Sequence, residues 1–218
     1  MRRTRTIPGL EYEREKTDLQ VSWIQEPRWR PARRHLRNAV LPEVWDWLLD
    51  EGSLTQRLRQ RCGGRFRVAL RRQGWGRPSS SERRVLGMGH GERAVIREVH
   101  LMCGDTPWVF ARTVIPVSSL RGAQRRLTRL GSKPLGAALF ADPSMWRGAV
   151  EVACLRPAEP LYARAMCGAA SAAAMIWGRR SVFHLQERPL LVTEIFLPAL
   201  WTRGDEEAKV RPRVQTGV

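Results

Sequence analysis

Hydrophobic and polar positions follow a helical period in some stretches of the chain and alternate in others. Pro42 opens a helix, because its fixed φ and missing N–H suit a first turn. Trp45, Leu48 and Leu49 give that helix an apolar stripe, and Gly52 ends it. Ser53 caps a second short helix whose Leu54 and Leu58 face inward. Alternation over 65–71, with Phe66, Val68 and Leu70 on one face, predicts a strand. A turn-rich connection at 77–81, a short strand at Val85 and Leu86, and a glycine-marked loop at Gly87, Gly89 and Gly91 follow. Residues 93–102 and 108–115 read as two strands joined by a hairpin-sized connection. Residues 118–130 read as one helix capped by Ser118, with Leu120, Leu127 and Leu130 inward and Gly131 as its stop. A short helix starts at Pro134, an Ala-rich helix covers 158–177, and 182–185 with 190–197 form a terminal hairpin. Helices, a run of antiparallel strands, inserted helices and two last strands make an α+β fold, not alternating βαβ.

The ends differ from this body. Residues 1–40 hold the helix-breaking Glu26-Pro27-Arg28-Trp29-Arg30-Pro31 and no sustained period, so they are expected to be poorly ordered or peripheral, with Trp23, Ile24 and Trp29 as possible anchors. The domain is expected over 41–201, with a polar tail over 202–218.

Composition narrows the class. Hydrophobic residues make up 43% of the 218 and charged residues 27%, a globular balance that excludes wholesale disorder. No apolar run of membrane-spanning length exists, and no apolar stretch follows the basic Met1-Arg2-Arg3-Thr4-Arg5 as a signal peptide requires. The expectation is a soluble cytoplasmic monomer with reduced thiols. Cys62, Cys103, Cys154 and Cys167 lie 41, 51 and 13 residues apart, which fits no zinc pattern, so neither metal nor cofactor is expected. The formal charge is +17, and residues 53–97 alone hold twelve basic and two acidic groups. That excess suits anionic partners in general, or an arginine-rich solvated surface. Arg179-Arg180 is read as a solvated pair, His100 and His184 as structural, and Gly87-Met88-Gly89-His90-Gly91 as a hairpin loop, because it precedes a strand and opens no helix.

Two charges stand out because side chains alternate across a strand. Arg97 shares a face with Val95, Val99 and Leu101, and Glu194 shares one with Leu190, Val192 and Phe196. A buried, unpaired charge costs several kcal/mol, so each needs a partner. Either they pair with each other or with other core ions, or they bound an apolar cavity with a cation at one end and a carboxyl group at the other. Such a cavity suits a small anionic ring compound. Arg112, on the face of Trp108, Phe110 and Val114, is a third charge of this kind, for which an ion pair such as one to Glu98 competes with a ligand role.

At these residues the sequence resembles the chorismate pyruvate-lyase family, which forms 4-hydroxybenzoate for ubiquinone. The stretches that carry the resemblance are Gly52-Ser53-Leu54-Thr55, Ile96-Arg97-Glu98-Val99, Pro107-Trp108-Val109-Phe110-Ala111-Arg112, Leu130-Gly131-Ser132-Lys133-Pro134-Leu135-Gly136, Trp177-Gly178-Arg179-Arg180-Ser181 and Pro189-Leu190-Leu191-Val192-Thr193-Glu194. The resemblance implies a single α+β domain with an antiparallel sheet and an enclosed cavity under helical flaps, here 52–62 and 118–140. It implies substrate contacts at Arg97, at Glu194, at the backbone of Leu135 and at Leu54, where the family often has Met. It implies cofactor-free elimination of pyruvate from the dianion chorismate, with Arg97 and Glu194 as the catalytic pair. Two other readings remain: a basic nucleic-acid-binding module, favoured by Trp29 and Trp75 beside arginines, and a relative that binds an aromatic acid without catalysis.

Overall fold

A computed structural model describes residues 25–32, 40–170 and 172–202. Trp23, Ile24 and nearly all of the expected tail lie outside them. The described chain runs β1 (Arg30–Pro31), α1 (Pro42–Leu48), α2 (Leu54–Cys62), β2 (Phe66–Gly76), α3 (Ser80–Val85), β3 (Ala94–Cys103), β4 (Thr106–Pro116), α4 (Leu135–Phe140), β5 (Trp146–Arg147), β6 (Glu151–Leu155), α5 (Pro160–Met166), β7 (Ile176–Leu185) and β8 (Arg188–Phe196). The strands form one antiparallel sheet in the order β1-β6-β7-β8-β4-β3-β2, with β5 paired to β7. This is the α+β architecture that the hydrophobic pattern predicts.

The first two helices follow their local signals. Pro42 starts α1, and Val44, Trp45, Trp47 and Leu48 are buried, but Leu49, expected on the apolar stripe, ends the helix and is exposed. Ser53 Oγ accepts from the Gln56 amide at the start of α2, which buries Leu54, Leu58 and Cys62. The central strands β3 and β4 are nearly buried throughout, consistent with cover on both faces of the sheet. Gly178 lies where β7 and β8 pack closest: a Cβ there would sit 2.3 Å from Ile195 Cδ1. Of the N-terminal residues, Arg30 pairs with Val152 across β1 and β6, and Trp29 lies under the Arg180 guanidinium, 4.8 Å from its ring centre.

Several expectations are corrected. The strand expected at 65–71 continues to Gly76, with a register shift between Leu70 and Arg72, and Leu70 is exposed at the sheet edge. The short strand at Val85 and Leu86 is helix instead: Ser79 Oγ accepts from Glu82 N while Glu82 accepts from Ser79 N, a reciprocal cap that starts α3. The single helix over 118–130 is two 3-10 segments, Val117–Ser119 and Gly122–Arg129, broken at Leu120 and Arg121. Gly131 still stops it, with φ of 52°. The Ala-rich helix shrinks to Pro160–Met166, and the residues before Val182 already belong to β7. Reduced thiols are also corrected for one pair: Cys62, at the end of α2, is disulfide-bonded to Cys103, at the end of β3. Cys154 and Cys167 are free.

Candidate active site

Pairing across the sheet explains why the charged positions converge. Residues directly opposite on neighbouring strands point to the same face. Arg97 pairs with Thr113, Ala111 pairs with Glu194, and Glu194 pairs with Arg179. All five therefore share one face, with Val192 beside Thr113. Over this face lies a cavity whose sheet wall includes Val68, Arg97, Val99, Leu101, Ala111, Thr113, Arg179, Val192 and Glu194. Gly52, Ser53, Leu54 and Thr55 close it from the start of α2. Pro134, Leu135, Gly136, Leu139 and Phe140 close it from α4. The two covers touch: a Cβ on Gly136 would lie 3.6 Å from Thr55 Oγ1 and 3.7 Å from Ser53 Oγ. Arg147 and Phe183 complete the lining. Leu54, Arg97, Leu135 and Glu194, the four positions singled out in the sequence, thus meet around one space.

Arg97 and Glu194 do not pair with each other. Arg97 is 4% exposed and is held by the second cover: Nε and Nη2 donate to Gly131 O at 3.2 and 2.8 Å, and Nη2 donates to Lys133 O at 2.8 Å. Among the described residues it has no carboxylate partner, and burial pushes its pKa down to about 10, so it remains a cation at neutral pH. Nη1 and its two N–H groups are left for an anion. A two-nitrogen grip requires Gly131 or Lys133 to let go. Gln73, opposite Arg97 on β2, donates to Thr128 O and ties down the same cover.

Glu194 accepts instead from Arg179 Nε at 2.6 Å. Arg179 is 1% exposed, so the solvated arginine pair is corrected: consecutive residues of a strand face opposite ways, and both arginines are buried. Arg180 faces the other side of the sheet, bonded to Glu151 at 2.7 Å. Arg112 is on that other side too, between Glu82 at 2.7 Å and Glu98. Burial works against its charge, but the two carboxylates outweigh that and raise its pKa. Arg112 is therefore part of a core ion cluster, not of the cavity.

Arg147 is a second charged cavity residue, with Arg179, that sequence reasoning missed. It lies on the two-residue strand β5, too short to show a pattern, and donates to Ser181 Oγ at 3.0 Å and Asp50 O at 3.3 Å. Burial and the neighbouring Arg179 lower its pKa, against the pull of Glu194, Glu51 and Asp50. Three arginines and one glutamate leave the lining with a formal excess of two positive charges in an otherwise largely apolar space. That arrangement can hold a small dianion away from water. His100, bonded at Ala165 O, and His184, stacked on Trp146, lie outside the cavity lining. No group of three or more His, Cys, Asp or Glu side chains that could hold a metal ion occurs among the described residues. No described helix is long and apolar enough to cross a membrane.

Known proteins point the same way. The family model for chorismate lyase matches residues 24–206. A probable chorismate pyruvate-lyase of Azoarcus sp. (strain BH72) is 46% identical over 189 residues, 85% of this chain and 95% of that protein. One from Aromatoleum aromaticum is 43% identical over 82% of this chain and 93% of its own length. One from Nitrosomonas europaea is 42% identical over 85% and 98%. Among solved structures, PhnF from Mycobacterium smegmatis is 14% identical with a TM-score of 0.50, covering 80% of this chain and 89% of that one, a likeness of fold alone. The chain belongs to the chorismate lyase family.

Proposed function

We propose that this protein is a chorismate pyruvate-lyase, eliminating pyruvate from chorismate to leave 4-hydroxybenzoate, as the first step towards ubiquinone. The observation that carries the reading is the cavity under α2 and α4 with an excess of two positive charges, Arg97 and Glu194 apart on its floor. Chorismate is a cyclohexadiene with two carboxylates, a ring hydroxyl and an enolpyruvyl ether. Loss of pyruvate makes the ring aromatic, so no net redox change occurs. The protein's task is to neutralise the dianion, fix a reactive conformation and exclude water.

Each residue has a part in this. Arg97 meets the ring carboxylate through the N–H groups of Nη1, a charge-assisted contact in a site shielded from water. Leu135 and Gly136 open α4, where amides lack intrahelical acceptors and can donate to an anionic oxygen. Glu194 addresses the hydroxyl or ether oxygen at the far end, with Arg179 fixing one of its carboxylate oxygens. Leu54 supplies an apolar wall over the ring. Incubation with chorismate, scoring both pyruvate and 4-hydroxybenzoate, tests the proposal. The basic surface supports nucleic-acid binding less well, because that reading gives Glu194 and the cavity no part.

A further inference from the structure

Glu194 is opposite Arg179 in the β7–β8 register, and Arg179 Nε takes Glu194 Oε2 at 2.6 Å. Oε1 has no hydrogen-bond partner among the described residues. A buried cation that needed only a counter-charge would be satisfied by this contact. Arg179 does more with its other edge. Nη1 donates to Trp47 O at 2.9 Å and to Asp50 O. Trp47 belongs to the last turn of α1, and Asp50 lies in the link from α1 to α2. Within the link, Asp50 accepts from Gly52 N at 2.8 Å through Oδ1 and from Arg57 Nη1 at 2.8 Å through Oδ2. The residues that follow at once, 52–55, are the first cover of the cavity. One planar guanidinium therefore joins the carboxylate on the floor to the hinge of the cover above it.

We infer that Arg179 is a positioning residue that makes closure of the first cover and presentation of Glu194 a single event. With the hinge seated on Nη1, the guanidinium plane is fixed, Nε holds Oε2, and Oε1 is turned free for the ring hydroxyl or ether oxygen. With the hinge lifted, the plane loses its Asp50 acceptor and Glu194 loses its fixed orientation. Lysine cannot substitute, because a single ammonium lacks the two-edged planar fork. The inference rests on the lyase reading for the identity of the group that Oε1 meets, but the coupling of hinge and carboxylate does not.

The test uses the full chain as wild type, Arg179→Lys, Glu194→Gln and the double variant, each checked by thermal melting. Turnover of chorismate gives a double-mutant cycle. Arg179→Lys is expected to lower kcat at least tenfold in the wild-type background with KM changed less than about threefold. In the Glu194→Gln background the same change should cost less than about threefold, because a positioning residue has nothing left to position. Equal losses in both backgrounds would mean a merely structural arginine. Hydrogen exchange of the amides at 50–56 in the ligand-free protein is the second readout. Exchange there should quicken several-fold in Arg179→Lys. It should also quicken in Glu194→Gln, which retains the Arg179 side chain but weakens the contact that fixes its guanidinium plane, so the result stands even where Arg179→Lys folds poorly. Unchanged exchange in Glu194→Gln overturns the coupling. If the wild type releases no pyruvate, the lyase reading fails, and the exchange measurement, which needs no substrate, still decides the role of Arg179.

Discussion

Arg97 and Glu194 lie on the same face of the sheet with β4 between them, and neither bonds to the other. Arg97 is opposite Thr113, and Glu194 is opposite Ala111, on the intervening strand. Two strand spacings put their backbones about 10 Å apart across the sheet. Each is held by its own partner, Arg97 by the carbonyls of Gly131 and Lys133 and Glu194 by Arg179. Both charges therefore line the cavity without an ion pair between them.

Arg97 holds the second cover and, under the proposed function, also meets the substrate anion. Arg97→Ala should therefore lower kcat/KM for chorismate by the equivalent of roughly 2–5 kcal/mol, as for loss of a buried charge-assisted contact. Arg97→Lys should recover little of it, because one ammonium cannot serve Gly131, Lys133 and a carboxylate in one plane. Steady-state kinetics of the two variants check this, and wild-type kinetics in Arg97→Lys would rule out the shared guanidinium.

The covers meet near Ser53, Thr55 and Gly136, and under the proposed function product release is expected to need them to part. Under the proposed function the product, 4-hydroxybenzoate, would keep a carboxylate for Arg97 and a hydroxyl for Glu194. Strong product inhibition is expected, with a burst of product in the first turnover. A rapid-quench time course that is linear from its start, with weak inhibition, would make chemistry the slow step.

The Cys62–Cys103 bond closes a span of 41 residues and fastens the far end of α2 to the sheet. Restriction of the unfolded chain by a loop of this size stabilises a fold by about 3–4 kcal/mol. Melting in a dithiol reductant, or of Cys62→Ala/Cys103→Ala, should show that loss. An unchanged melting temperature would mean that the bond contributes nothing to stability.

Glu26 ties the N-terminal segment to α3. It accepts from Ser79 Oγ and from the amides of Ser80 and Ser81, each at 2.9 Å. Burial acts to raise its pKa, but the bonds from Ser81, Ser79 and Ser80 together outweigh it and hold the carboxyl group below its ordinary value. A lowered pKa gives stability that is present above the unfolded-state value and lost as pH falls through the folded one. Wild type should exceed Glu26→Gln by about 1 kcal/mol near neutral pH, the group being partly exposed. That difference should vanish in acid. Melting of both proteins across the acid range measures it; a difference that persists in strong acid contradicts the assignment.

Much of the site was legible because a lone charge in an apolar alternation has a physical price. Arg97 in β3 and Glu194 in β8 stand out on that ground alone, whereas Leu54 and Leu135 come from the family resemblance. Arg179 and Arg180 did not stand out, since two adjacent arginines read as surface until the strand is known to extend back to Ile176 and send them to opposite faces. Arg147 sits on a strand too short to carry a period. The cap that starts α3 was visible in Ser79-Ser80-Ser81-Glu82 and was masked by the apolar Val85 and Leu86 after it. Cysteine spacing gave no hint of the disulfide, because pairing depends on where α2 and β3 end in space and not on separation along the chain.

The most direct measurement of the central claim is the stoichiometry of products from chorismate with purified wild-type protein and no added cofactor or metal. Pyruvate can be followed by enzymatic coupling and 4-hydroxybenzoate by chromatography of the same samples. The account predicts that both appear, in equal amounts and in step. Absence of both under all buffers tried, or pyruvate without the aromatic acid, would contradict it.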